Sequence, residues 1–195
     1  MQFPLTLRFK IFSLTSEIYV TEPNGNVVWY VKQKLLKLKE DITIFGDEQQ
    51  REKRYTIKAD RVIDFSAKYH FKDAHGVELG AIKRKGMRSF WKAHYEIYDA
   101  HDHLAMTLSE ENPWVKVLDG LVGEIPVVGF LVGYVLNPTY MVSQTDGTPV
   151  VRLKKVPSLL ERRFEIEKLS NVAEAAQDRA LLGVLMMVLL ERSRG

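Results

Sequence analysis

Apolar and polar residues alternate along much of this chain. Val27, Trp29 and Val31 share one parity, as do Tyr95 and Ile97, and Phe164 and Ile166, each separated by more polar neighbours. That is the period of a half-buried strand. Residues 10–20, KIFSLTSEIYV, match residues 34–44, KLLKLKEDITI, at an offset of 24, with Pro23-Asn24-Gly25-Asn26 between them. Asn-Gly tolerates positive φ and marks a tight turn. The theme returns around Gly76 and Gly147. In all three units a lysine stands seven residues after the turn glycine: Lys32, Lys83 and Lys154. Such internal similarity predicts a repeated strand–turn–strand unit. About ten to twelve strands are expected, in three sets. A long antiparallel meander removes its edges best by closing into a barrel.

Two segments break the alternation. Residues 112–138 contain the run IPVVGFLVGYVL and read as two short helices split at Pro126. Residues 171–192 read as a second helical region, with Asn171 and Glu174 as a capping box. Within it, ALLGVLMMVLL (180–190) is apolar on every side. A surface helix would show one apolar stripe, so this one must be surrounded. Eleven residues of helix span roughly 16 Å, and a bilayer core needs about 20 apolar residues. Asp178 and Arg179 precede the run, and Glu191 and Arg192 follow it. The run is therefore expected to form the axis of the barrel rather than a membrane span. The fold class expected is mainly β: a closed antiparallel barrel around a buried hydrophobic C-terminal helix, with an inserted helical pair at 112–138, all in one domain.

Composition narrows the chemistry. The chain has 195 residues and 46% are apolar, enough for a sizeable core. There is no cysteine, which excludes disulfides, Cys-based zinc sites and thiol catalysis. The first ten residues lack an apolar h-region and a small-residue cleavage site, so they do not read as a secretory signal. A cytoplasmic location, peripheral to a membrane, is expected. Net charge is +3 and the isoelectric point is near 9.0, which permits contact with phosphates or anionic lipid.

The stretches FKIFSLTSEIYVTEPNGNVVWYVKQKLLKLKEDITI (9–44) and FKDAHGVELGAIKRK (71–85), with the closing apolar helix, resemble the LURP-one-related family. That family is grouped with the Tubby C-terminal-like superfamily and the phospholipid scramblases. The resemblance covers most of the chain outside 112–138. It implies a twelve-stranded barrel around a hydrophobic C-terminal helix. Tubby domains bind phosphoinositide head groups and scramblases are linked to lipid movement, which suggests a lipid-facing role here. Tubby's lipid-binding positions find no residue-by-residue counterpart in this chain.

Catalytic signatures do not emerge. Ser13, Ser66 and Ser89 lie in no nucleophile elbow. Gly120, Gly123, Gly129 and Gly133 open neither a phosphate loop nor a dinucleotide fingerprint. His101-Asp102-His103, with Asp99, could offer metal ligands, but the segment reads as a hairpin tip whose histidines are solvated turn residues. No catalytic residue, metal site or cofactor is expected, and no enzymatic activity. Nucleic acid is not expected either, because no recognition helix or stacking signature is present.

Basic clusters carry more. Lys32 and Lys34 alternate with apolar residues, and Lys83, Arg84, Lys85 and Arg88 form a tighter group. These six are the candidate ligands for an anionic head group. Lys154, Lys155, Arg162 and Arg163 form a third cluster. Against this stands the common use of lysine on outward strand positions to discourage edge pairing. In the insert, Trp114, Phe130, Leu131 and Tyr134 are candidates for contact with a membrane or a protein partner, since Gly129-x-x-x-Gly133 has a close-packing spacing. The leading expectation is a non-enzymatic binding module for anionic phospholipid. The alternative is a structural or protein-interaction scaffold using 114–136.

Overall fold

The computed structural model describes residues 1–12, 15–34, 42–61, 67–85, 94–111, 139–158 and 161–192. Twelve strands follow one another: β1 (Leu5–Phe12), β2 (Thr15–Thr21), β3 (Val27–Lys34), β4 (Ile42–Phe45), β5 (Lys53–Ala59) and β6 (Lys68–Asp73). Then come β7 (Glu78–Arg84), β8 (His94–Tyr98), β9 (Leu104–Glu110), β10 (Thr139–Gln144), β11 (Pro149–Val156) and β12 (Arg162–Lys168). Each pairs antiparallel with its sequence neighbour, and β1 closes on β12 with Leu5 opposite Ile166 and Phe9 opposite Arg162. Closure leaves no strand edge to aggregate.

The alternation seen in the sequence is the inside–outside alternation of this wall. Leu5, Leu7 and Phe9, Ile18 and Val20, Trp29 and Val31, Tyr95 and Ile97, and Phe164 and Ile166 all belong to one buried cluster. The repeat is also real. Gly25, Gly76 and Gly147 adopt φ of 85°, 86° and 89° in the turns that join β2 to β3, β6 to β7 and β10 to β11. Those turns are four strands apart, so the barrel consists of three four-strand units. The matched lysines stand at outward positions beside a carboxylate on the neighbouring strand. Lys32 is 3.9 Å from Glu17, Lys154 is 2.5 Å from Glu167, and Lys83 is the register partner of Glu96.

The helix α1 (Glu174–Arg192) runs through the barrel, and every residue from Ala180 to Leu189 is buried. Leu185 is 1% exposed and Val188 6%. The apolar run is thus an axial core, as expected. Its start differs from the sequence reading: the helix begins at Glu174 and not at Asn171. The intervening residues reverse the chain. Leu169 N–H donates to the Val150 carbonyl and Ser170 Oγ to the Pro149 carbonyl at 2.5 Å, tying the segment to β11 before it can turn inward. The Ala173 carbonyl then accepts from Ala176 and Gln177. The expected helical pair at 112–138 lies outside the described residues, between β9 and β10.

The helix enters at one end of the barrel and leaves at the other. Near its entry, Tyr55 Oη donates to Asp178 Oδ2 at 2.8 Å, and Arg179 Nη1 donates to the Leu79 carbonyl at 3.3 Å. The entry end also holds the five short turns between β2 and β3, β4 and β5, β6 and β7, β8 and β9, and β10 and β11.

A basic mouth at the helix exit

In four of the five entry-end turns a carboxylate sits where the backbone needs an acceptor, and in the β2–β3 turn the Asn24 amide oxygen accepts from Asn26 N–H at 2.8 Å. Asp99 Oδ1 accepts the N–H groups of His101 and His103, both at 2.9 Å. Asp73 Oδ1 accepts those of His75 and Val77, and Asp146 Oδ1 that of Thr148, all at 2.8 Å. Asp47 serves Arg51 and Glu52 in the same way. The backbone donors at His103 and His101 hold the Asp99 carboxyl below the usual carboxylate range, and Thr148 does the same for Asp146. These four aspartates serve their turns. The exposed His101 and His103 rings stack 6.2 Å apart on their turn. Among the described residues no group of three metal-ligating side chains converges.

At the exit end the described residues lie mostly on the strands and on α1. Strand register shows which side chains point inward there. Arg84 pairs with the buried Tyr95 and shares parity with Ile82. Arg162 pairs with the buried Phe9. Lys155 pairs with Phe164 and shares parity with Leu153. Glu110 shares parity with Leu108 and pairs with Tyr140. With Glu191 and Arg192 from the last turn of α1, the inward positions among the described residues hold four cations and two carboxylates, a sum of +2. The C-terminus of a helix welcomes cations, but its dipole amounts to only about half a negative charge. A positive excess remains after the dipole is satisfied.

This mouth contains a cavity of about 90 Å³. Phe9, Phe164, Met187 and Val188 form its apolar floor. Tyr140, Arg162, Glu191 and Arg192 form its polar lip. Tyr95 Oη donates to Glu191 Oε1 at 2.5 Å, which anchors the last helical turn to β8. Burial, the bond to Glu191 and its negative charge push the Tyr95 phenol far above its ordinary value. Burial, with Glu110 and Glu191 nearby, pushes Tyr140 up to about 12. Arg192 lies with its guanidinium carbon 5.4 Å from the centre of the Phe9 ring. Burial lowers its pKa, and the like charge of Arg162 lowers it further. The lip thus sets Tyr140, Arg162, Glu191 and Arg192 beside an apolar floor.

The sequence-predicted residues are distributed differently. Of the six basic candidates, Arg84 belongs to the mouth. Lys32, Lys83 and Lys85 stand on the outer wall beside carboxylates, with Lys85 2.9 Å from Glu96. Glu17, beside Lys32, also accepts from Tyr19 at 3.0 Å and Tyr30 at 3.2 Å. Lys34 closes β3, and Arg88 lies outside the described residues. So do Trp114, Phe130, Leu131 and Tyr134. The cluster Lys83-Arg84-Lys85 is therefore split by strand parity: its middle member faces the interior and its outer members face out. Lys155 and Arg162 belong to the third basic cluster of the sequence, outside those six, and Arg192 is singled out there only as a charge that closes the apolar run. Their parity with Phe164, with Leu153 and with the end of the apolar run was the available signal.

The X-ray structure of an Arabidopsis thaliana protein, AT5G01750, has a similar fold. The match covers 97% of this chain and 91% of that one, with a TM-score of 0.51 at 13% sequence identity. At that identity the likeness speaks for fold alone. The LURP-one-related family model matches residues 27–122. The chain is LURP-one-related. The match starts at β3 and runs past the end of β9, so this LURP-one-related chain carries Arg84 and Tyr95 of the mouth within the matched stretch. Arg162, Tyr140 and α1 lie beyond it. No curated protein matches the sequence.

Proposed function

We propose that this LURP-one-related barrel is a non-enzymatic binding module that presents its helix-exit mouth to anionic phospholipid at a membrane surface. The observation that carries the reading is the charge excess of +2 among the described inward positions of one end. On the outer wall, Lys32, Lys85 and Lys154 each stand within ion-pair distance of a glutamate. Basic residues near an anionic surface contribute about 1 kcal/mol each. Among the described residues no helix is long and apolar enough to cross a membrane. The resemblance to the Tubby C-terminal-like superfamily, with its lipid-binding members, points the same way. The location that fits is the cytoplasmic face, where anionic lipids collect.

Vesicle co-sedimentation tests this. Phosphatidylcholine vesicles with and without phosphatidylserine are compared for the intact chain, for the mouth variant Arg84→Gln/Lys155→Gln/Arg162→Gln and for the wall variant Lys32→Gln/Lys83→Gln/Lys85→Gln. Removing three cations from the mouth costs about 3 kcal/mol, more than a hundredfold in affinity for anionic vesicles. The wall variant keeps most of the binding. Equal losses in both variants, or no preference of the intact chain for phosphatidylserine, refute the proposal.

A further inference from the structure

We infer that Asn24 is a modification site: in the folded protein its side-chain amide is lost to water as ammonia, leaving an aspartate in the same turn. The site lies at the entry end, apart from the mouth. Of the five asparagines, Asn112 and Asn137 precede prolines, which carry no N–H, and Asn26 and Asn171 precede valines, whose branched side chains crowd the neighbouring amide. Asn24 alone precedes a glycine. Residues 23–26 are all exposed. With no side chain on Gly25, its nitrogen can approach the Asn24 side-chain carbonyl. That nitrogen gives its proton to solvent and bonds to Asn24 Cγ, and the Cγ–Nδ2 bond breaks with ammonia as the leaving group. Water then adds to Cγ of the cyclic imide, the Cγ–N bond breaks, and the Gly25 nitrogen regains a proton. Water enters, ammonia leaves, and no oxidant or reductant takes part.

The product turn already exists elsewhere in the barrel, because the β10–β11 turn repeats the β2–β3 turn bond for bond. Gly25 N–H donates to the Glu22 carbonyl and Gly147 N–H to the Gln144 carbonyl, both at 2.9 Å. Glu22 N–H donates to the Asn26 carbonyl at 2.9 Å, and Gln144 N–H to the Thr148 carbonyl at 2.8 Å. Asn26 N–H donates to Asn24 Oδ1 and Thr148 N–H to Asp146 Oδ1, both at 2.8 Å. Asp146 thus stands where Asn24 stands, and an aspartate at 24 meets the same donor. Its charge reaches one neighbour. Gln2 N–H donates to Glu22 Oε1 at 2.8 Å. That bond holds the Glu22 carboxyl below its ordinary range, and the side-chain amides of Asn26 and Asn24 add to the effect. An aspartate at 24 removes one of those amides and sets a second negative charge beside Glu22, so the tie to Gln2 weakens.

The intact chain is aged at mildly alkaline pH, with a free peptide of residues 20–28 as reference, and followed by anion exchange and by peptide mapping in a mass spectrometer. A form with one added negative charge should appear, with the acid at residue 24 and the other four asparagines intact. The Gly25–Glu22 bond must open before the nitrogen attacks, so the rate should be roughly fivefold below that of the peptide, the factor of one net hydrogen bond. Isoaspartate, formed when the imide opens at its main-chain carbonyl, adds a main-chain atom that the Asp146 turn does not have. The share of aspartate should therefore exceed that in the peptide. Asn24→Gln should block the change. Asn24→Asp should co-elute with the aged aspartate form and exchange its Gln2 amide hydrogen faster than the parent does. No acid at residue 24 while the peptide converts, or acid spread equally over the other asparagines, overturns the inference. An aspartate share equal to the peptide's overturns the assignment of the product turn, and unchanged Gln2 exchange in Asn24→Asp overturns the coupling to Glu22.

Discussion

The approach of the axial helix to the wall at Gly183 gives a quantitative test of the architecture. A Cβ added at Gly183 would stand 2.6 Å from Ile97 Cδ1 and 3.3 Å from its Cγ1. The first distance is too short to be tolerated, and Ile97 is fully buried, so its δ-methyl has no open space to move into. For Gly183→Ala, helix propensity contributes about 1 kcal/mol of stabilisation. Overpacking costs about 2 kcal/mol. The net is about 1 kcal/mol destabilising. Ile97→Val removes the offending methyl and on its own costs about 1 kcal/mol. In the double variant the clash is gone and the new Cβ occupies the vacated volume. The propensity gain then offsets the lost methyl, and stability returns to about that of the parent. The coupling energy is therefore about 2 kcal/mol favourable. Urea unfolding followed by far-UV circular dichroism and by fluorescence of the buried Trp29 measures all four corners of the cycle. If the two substitutions add to within about 0.5 kcal/mol, Gly183 does not face Ile97 and the helix is not seated as described.

Two other outcomes follow from the entry end. Burial raises the Asp178 carboxyl above its ordinary value, with the nearby Glu174 adding to the rise and the Tyr55 hydroxyl opposing it. A carboxyl raised on folding contributes stability that is full below its unfolded pKa and is lost as pH rises through the folded value. Asp178→Asn still accepts the Tyr55 proton, so its melting temperature relative to the parent should climb between pH 4 and pH 7; a difference that is constant or falls with pH contradicts this. Gly76→Ala should cost about 1–2 kcal/mol through backbone strain alone, because φ is 86° and nothing lies within 4 Å of the added carbon. A chemical-denaturation midpoint equal to that of the parent would remove the left-handed turn from the account.

Much of the wall was legible because strand parity is a local property. Trp29 and Val31, Tyr95 and Ile97, and Phe164 and Ile166 alternate in the sequence and point inward in the barrel. The turn glycines at 25, 76 and 147 were legible too, since positive φ selects its residue locally. The mouth was not read. Lys83, Arg84 and Lys85 were taken together because they are adjacent, but adjacency on a strand means opposite faces. Arg162 and Arg192 are thirty residues apart and come together only because β12 and the end of α1 meet at the same rim.

The amino-acid order alone determined the strand period, the turns, the threefold repeat and a helix too apolar to stay on a surface. Each depends on residues within a few positions of one another, where dihedral preference and side-chain periodicity act. The closure of β1 on β12, the direction in which the helix threads the barrel and the gathering of cations at its exit were decided by tertiary structure. They depend on which distant strand ends share a rim, and on burial that no single segment can achieve alone.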